Sequence, residues 1–251
     1  MVQDSLQKNM DKEKLIEYLK SLDMFDHVES NQFDRILEDS HTVTFQQDEI
    51  LFIQGDPANV FYVLIEGRIK LSQLTPEGDQ VTLHYLGPGE AFGIIAVLRE
   101  INYPVTAQAV ENCECLAWSK DKAKKWIISY PQIALNSIRI LSNFILAFQD
   151  RIRELSTQRV ERRIAHSILR LAKHSGKQTK RGIALGFKIT RQDIAEMSGT
   201  TLYTVSRILS KWETLGMLEG HSKSILIKEP HALTNIAEDL GEENKPDITP
   251  P

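Results

Sequence analysis

The chain is short of cysteine, of long apolar runs and of any recognisable catalytic constellation. Its only cysteines, Cys113 and Cys115, lie two apart in ENCECLAWS. On a strand they share a face and are poorly placed to bond to each other, so nothing points to an oxidising compartment. No stretch approaches the roughly 18 apolar residues of a membrane span. The opening MVQDSLQKNMDKEK carries acids and no apolar leader core. A soluble, cytoplasmic protein without membrane association is expected. No Ser/His/Asp set, carboxylate pair or phosphate loop stands out, and GPGEAFG is not expected to open a helix after a strand as a dinucleotide loop must. An enzyme is therefore not expected.

What is present is enough for two domains: 251 residues, 41% of them hydrophobic. The net charge of -4 hides a segregation. Residues 151–228 hold 16 Lys and Arg against 6 Asp and Glu, a balance of +10, and the remainder holds 14 against 28, a balance of -14. A basic domain of this kind suits a polyanion, because neutralising phosphates releases condensed counterions and supplies most non-specific DNA affinity.

Leu15, Ile16, Leu19 and Leu22, then Phe33, Ile36 and Leu37, recur at helical spacing and form a short helical lead-in. From about His41 to Trp118 the texture changes to short runs, VTF, ILFI, VFYVLI, IKLSQL, VTLHYL and CLAW, separated by turn signals that include Gly67, Gly78 and Gly87-Pro88-Gly89. Strands spaced so regularly make a small antiparallel barrel or roll, with Gly67 and Gly78 at hairpin corners that need positive φ. After Pro131 a long helix carries Ile138, Leu141, Ile145, Phe148, Ile152 and Leu155 at intervals of 3, 4, 3, 4 and 3, the spacing of a coiled-coil seam. Ala134, Leu135, Ile140, Leu146 and Ala147 widen the apolar stripe. One side is expected to dock on the roll and the seam to pair with an identical helix in a two-fold homodimer.

The basic domain opens with RVERRIAHSILRLAK, in which Ile164, Ile168, Leu169 and Leu171 face inward and the arginines are expected to face outward. A polar break, HSGKQTKRG, and a short strand, IALGFKI, lead to KITRQDIAEMSGTTLYTVSRILSKWETLGMLEG. There Thr190 can cap a helix with Asp193 three residues on. Gly199 supplies the turn, and Thr201 caps a second helix whose Val205, Ile208, Leu209 and Trp212 pack inward. Leu202, Tyr203, Ser206 and Arg207 are left on the outer, N-terminal face that reaches base edges in a helix-turn-helix. Arg207 suits guanine O6 and N7, whereas Thr190, Arg191, Gln192, Thr200, Thr201 and Lys211 are placed for phosphates. Gly216 ends the helix, and MLEG, HSKS and ILIK form a hairpin wing.

On the strength of GDPANVFYVLIEGRIKL, GPGEAFGIIAVL, the long helix and ITRQDIAEMSGTTLYTVSRIL, the chain resembles the cyclic-AMP receptor/FNR (Crp/Fnr) family of transcription regulators from about Leu22 to Leu233. The resemblance implies an α+β architecture. Residues 1–130 would form a cyclic-nucleotide-binding-like jelly roll (double-stranded β-helix) acting as sensor, 131–158 a dimerisation helix, 159–235 a winged helix-turn-helix, and 236–251 a disordered acidic tail. It also implies a palindromic double-stranded DNA site and a contact with RNA polymerase. Cyclic-nucleotide binders of the family follow the FG of the phosphate cassette with Glu and place Arg-Ser downstream. Here Gly93 is followed by Ile94, and Pro104-Val105 match the Arg-Ser pair, while Phe148-Gln149 replace the hydroxyl pair that reaches the adenine. With no cation to offset a desolvated phosphate, cyclic AMP is disfavoured and the pocket is expected to be apolar. An iron-sulfur cluster of the family's four-cysteine kind is likewise unsupported.

Three readings of the sensor remain: a haem-based nitric oxide or redox sensor, a sensor of another small metabolite, or an effector-independent DNA-binding dimer. A haem would draw its axial ligand from His84, His27, His41, Met24 or the cysteines, with His84 in VTLHYLG the leading candidate. Tyr203 stands where the family's recognition Glu accepts from cytosine, so the half-site should differ from the family's at that position.

Overall fold

The computed structural model describes residues 12–221 and 224–240. The chain divides into two compact units. One comprises the described residues through Leu74 together with His84–Gln149, the other Thr75–Leu83 together with the residues from Asp150 onward.

The first unit begins with a helix across residues 12–20 (α1) and α2 (Phe33–Glu38). Eight strands follow along the chain: β1 (Ser40–Phe45), β2 (Ile50–Phe52), β3 (Val60–Glu66), β4 (Ile69–Leu74), β5 (Gln80–Leu86), whose residues through Leu83 are grouped with the second unit, β6 (Ala91–Phe92), β7 (Thr106–Ala109) and β8 (Cys113–Ser119). They form two four-stranded sheets, ordered β1-β8-β3-β6 and β2-β7-β4-β5, which is a jelly roll. The β3–β4 corner admits only glycine. Gly67 has φ +92°, and a Cβ there would lie 2.4 Å from the carbonyl oxygen of Asn112. Strand β3 is nearly all apolar because it is covered on both faces. Phe61 packs against Trp118 and Trp126 on one side, and Tyr62 stacks on Phe92 on the other. Trp118 also donates its indole N–H to the carbonyl of Ile36 at 2.7 Å, which ties α2 to the roll.

Two helices the sequence did not announce complete this unit, α3 (Ile94–Arg99) and α4 (Lys120–Ser129). The first corrects an expectation, since a helix does open directly after GPGEAFG. It is six residues long and follows a two-residue strand, too little for periodicity to reveal. Strand β7, TAQA, was missed for another reason: its inward residues Ala107 and Ala109 are small and carry little strand signal.

Helix α5 (Pro131–Thr157) is continuous across the boundary between the units. Its roll-facing row is Ile133, Asn136, Ile140 and Phe144: Ile133 is fully buried, Ile140 packs on the roll core, and Phe144 meets the His84 ring edge-on. Leu135 and Leu146, expected to broaden the docking side, are instead exposed. Asn136 is buried and donates to the carbonyls of Met24 (3.1 Å) and Asp26 (2.7 Å), so it anchors the helix to the lead-in segment.

The second unit contains α6 (Val160–Ser175), β9 (Gly176–Thr179), β10 (Gly182–Leu185), α7 (Arg191–Ser198), α8 (Leu202–Thr214), β11 (Leu218–His221), β12 (Ser224–Ile227) and α9 (Pro230–Glu238). Its sheet runs β11-β12-β10-β9. The polar break in HSGKQTKRG is largely β9, an edge strand held by backbone pairing to β10 rather than by burial. The acidic tail was expected to be disordered from residue 236, but α9 runs through Glu238 with Ala237 fully buried. Residues 241–251 lie outside the described residues, as do residues 222–223 of the expected HSKS turn.

Replacing Asn136 with Ala should cost about 2 kcal/mol, because two buried hydrogen bonds are lost and two carbonyls are left unmatched. Equilibrium urea unfolding followed by tryptophan fluorescence checks this, and an unchanged midpoint would remove Asn136 as an anchor.

Candidate nucleic-acid interface and effector region

Thr190 caps α7 through a complete capping box. Its hydroxyl accepts from the Asp193 N–H at 3.0 Å, and the Asp193 carboxylate accepts from the Thr190 N–H at 2.9 Å. Gly199 ends the helix in the left-handed region (φ +60°), and the Thr201 hydroxyl accepts from the Thr204 N–H at 3.2 Å to start α8. Helix α8 buries Val205, Ile208, Leu209 and Trp212, as the spacing predicts. Leu202, Tyr203 and Arg207 are exposed, Tyr203 at 76%, and Ser206 is half-buried. This outer face thus presents two apolar or aromatic groups, a hydroxyl and one guanidinium on the first turns of a helix.

The surrounding polar residues are more occupied than their pattern implies. Arg191 donates to both carboxylate oxygens of Glu213 at 3.1 Å and to Ser210 at 3.4 Å. Lys211 donates to Glu161 at 3.1 Å, and the same oxygen receives the Trp212 indole N–H at 3.2 Å. Gln192 donates to Glu196, and the Thr190 hydroxyl also donates to Asp193 at 2.6 Å. Thr200 is half-buried, its N–H bonded to Ala195. Five of the six residues assigned to phosphates, all but Thr200, therefore have side-chain partners within the protein, the Thr201 hydroxyl pairing with that of Thr204 at 3.0 Å.

The arginines of α6 correct the expectation of an outward-facing row. Arg162 donates to the Ala237 carbonyl at 3.0 Å and pairs with Asp239. Arg163 donates to Ser198 (2.9 Å), Gly199 (3.1 Å), Gln158 (3.3 Å) and Leu155 (3.5 Å). Arg170 grips both oxygens of the buried Glu154 at 2.7 Å. The cause is the three helix C-termini that converge on α6, whose last carbonyls need donors. Nothing in the one-dimensional pattern announces that convergence. Arg151 joins them by donating to the Met197 carbonyl, and burial, with Arg170 nearby, pushes its guanidinium down to about 10.

In the first unit Gly93 sits at the start of α3 with φ +83°. Ile94 and Val105 are partly buried against the roll core. Pro104 is exposed, and its carbonyl accepts from Gln73 at 3.0 Å. Phe148 and Gln149 are exposed on α5, Phe148 within the seam. The His84 Nε2 lies 3.0 Å from the Glu90 carboxylate, whose other oxygen accepts the Gly87 N–H at 2.6 Å. His27 pairs with Asp26, His41 is exposed on β1, and Met24 is buried in the core. Burial raises both thiols, that of Cys115 to about 12, which disfavours thiolate ligation. Among the described residues no cluster of three or more His, Cys, Asp or Glu is placed to hold a metal ion, and no helix is long and apolar enough to cross a membrane.

A jelly roll, a long helix and a helix-turn-helix followed by a β-hairpin define the architecture of a DNA-binding regulator. Residues 42–130 match the cyclic nucleotide-binding domain and residues 162–236 the Crp-like helix-turn-helix domain. The chain belongs to the Crp/Fnr family of DNA-binding transcription regulators. It is 24% identical over 221 residues to the CRP-like cAMP-activated global transcriptional regulator of Mycobacterium tuberculosis, covering 88% of this chain and 99% of the relative. It is 28% identical over 193 residues to the global nitrogen regulator of a Nostoc species, covering 76% and 86%. The structure of the c-di-GMP responsive global regulator CLP from Xanthomonas campestris shares the fold, with a TM-score of 0.70 at 22% identity over 79% of this chain and 99% of that one.

Glu213→Gln should release Arg191 for a phosphate. The slope of log affinity against log salt on non-specific DNA is then expected to steepen by about 0.9, the value for one added phosphate contact. Identical slopes for the two proteins would show that Arg191 stays out of reach of the backbone.

Proposed function

We propose that the protein is a homodimeric, sequence-specific transcription regulator that reads a palindrome through Leu202, Tyr203, Ser206 and Arg207 and is controlled by a small effector of low charge held by the roll. The observation that carries the dimer is the seam on α5. Ile138, Ile145, Phe148, Ile152 and Leu155 are between 43% and 64% exposed, although they are spaced for knobs-into-holes packing. A contiguous apolar row of this kind is costly on a monomer. An identical helix covers it and places two recognition helices in adjacent major grooves, about 34 Å apart. Contact with RNA polymerase completes the regulatory role that the family implies.

The effector reading rests on the composition around α3. The relatives' names associate the fold with cyclic AMP in one protein and c-di-GMP in another. In this chain Ile94 and Pro104-Val105 offer such an anion neither a hydroxyl partner nor a cation, which favours a weakly charged ligand. A haem fits less well. The His84 Nε2 already faces Glu90, so ligation through that nitrogen would break the pair and leave the carboxylate without it.

Arg207→Ala should lose about 1–3 kcal/mol of preference for one guanine per half-site while retaining salt-dependent non-specific binding. Selection from random duplexes reads this directly, and an unchanged consensus would reassign the contact. Ile145→Asp, in the middle of the seam, should convert the dimer to monomer in sedimentation velocity. Persistence of the wild-type species would place the interface elsewhere.

A further inference from the structure

The C-terminus of α7, which is also the turn of the helix-turn-helix, is held by side chains from two other helices. Its last carbonyls, those of Met197, Ser198 and Gly199, receive donors from Arg151 on α5 and Arg163 on α6. The same Arg163 guanidinium donates to the carbonyls of Leu155 and Gln158 at the end of α5. One planar cation therefore bridges the negative ends of two helices. Leu155 closes the arrangement, because its Cδ2 lies 2.9 Å from where a Cβ on Gly199 would be. A side chain at Gly199 would strike the last residue of the seam.

Recognition helix α8 begins two residues beyond this turn, so whatever fixes Gly199 against the end of α5 also fixes the reading face relative to that helix end. We propose that Arg163 is a positioning residue for DNA recognition, a brace between the end of the seam helix and the recognition turn that sets the separation and rotational phase of the two half-sites. This rests on the dimer reading above. Each base pair added between half-sites turns one of them by about 35° around the duplex and moves it by about 3.4 Å. A braced dimer rejects such a change; an unbraced one follows it. Arg151, the other donor to this turn, has its counter-charge in Glu154, which Arg170 holds in place near the end of α5.

The test measures binding of full-length wild type, Arg163→Gln and Arg163→Lys to palindromes whose centre is lengthened or shortened one base pair at a time. Circular dichroism confirms folding, and a random-duplex selection reads the half-site. Wild type should prefer one spacing by about tenfold or more, whereas Arg163→Gln should hold that preference to about threefold or less with its half-site consensus intact, reflecting the loss of charge-assisted hydrogen bonds. Arg163→Lys keeps the cation but not the fork, and should fall between them. It decides the question if the Gln variant fails to fold. Spacing profiles in the folded variants that match wild type overturn the brace. A wild type that binds single half-sites as a monomer, with no spacing preference, overturns the dimer reading and the brace together. Loss of the brace alone leaves a dimer that tolerates several spacings.

Discussion

A helix that ends inside a protein leaves its last carbonyls without intrahelical donors, and burying them unmatched costs more than most side-chain contacts return. Three helices of the DNA-reading unit, α5, α7 and α9, end around α6, and the arginines of α6 supply the donors. A guanidinium suits this better than an ammonium, because its fixed fork serves several carbonyls in one plane and its charge opposes the dipoles that converge there. The arrangement has an electrostatic consequence. Arg170 lies near enough to disfavour the charge of Arg151, and the buried Glu154, gripped by Arg170, is the counter-ion that offsets it. Breaking that pair would leave buried like charges unmatched, so the carboxylate holds together a cluster that the helix ends require.

The roll solves a different problem, that of turning strands sharply enough to close two sheets around an apolar core. Glycines make the corners, and a cluster of Phe52, Tyr62, Phe92 and Tyr103 fills the interior beneath the start of α3. The Tyr103 hydroxyl donates to the Val60 carbonyl at 2.6 Å, which fastens the strand beside Gly93. Burial raises the Tyr62 phenol to about 12, so the cluster stays neutral. This aromatic cluster lies beside the cassette positions where Ile94 and Pro104-Val105 stand, and its neutrality is what the proposed low-charge effector would require.

The helix-turn-helix was legible because each of its signals is local. Thr190 with Asp193, Gly199 and Thr201 act on neighbours within four residues, so sequence spacing is spatial proximity. The roll strands were legible wherever β-branched residues alternate, and β7 was not, because alanine buries too little to mark a face. The inward turn of Arg162, Arg163 and Arg170 was not legible at all: their partners lie up to 77 residues away in the chain, and an arginine that caps a distant helix reads like one that faces water. The same holds for Ile133 and Asn136, which dock α5 through contacts with residues before the roll as well as within it.

These inward pairings change what the charge balance means. The +10 of residues 151–228 counts Arg151, Arg162, Arg163, Arg170, Arg191 and Lys211, all of which have partners within the protein. Exposed cations such as Lys177, Lys180 and Arg207 are a smaller set than the formula suggests. Counterion release scales with the phosphates actually neutralised and is blind to sequence. A domain that spends arginines on its own helix ends gives up non-specific affinity while keeping the base-reading face, and a weaker background makes each base contact count for more in choosing a site. Arg163, the proposed brace of the reading helix, is one of the arginines engaged at helix ends in this way.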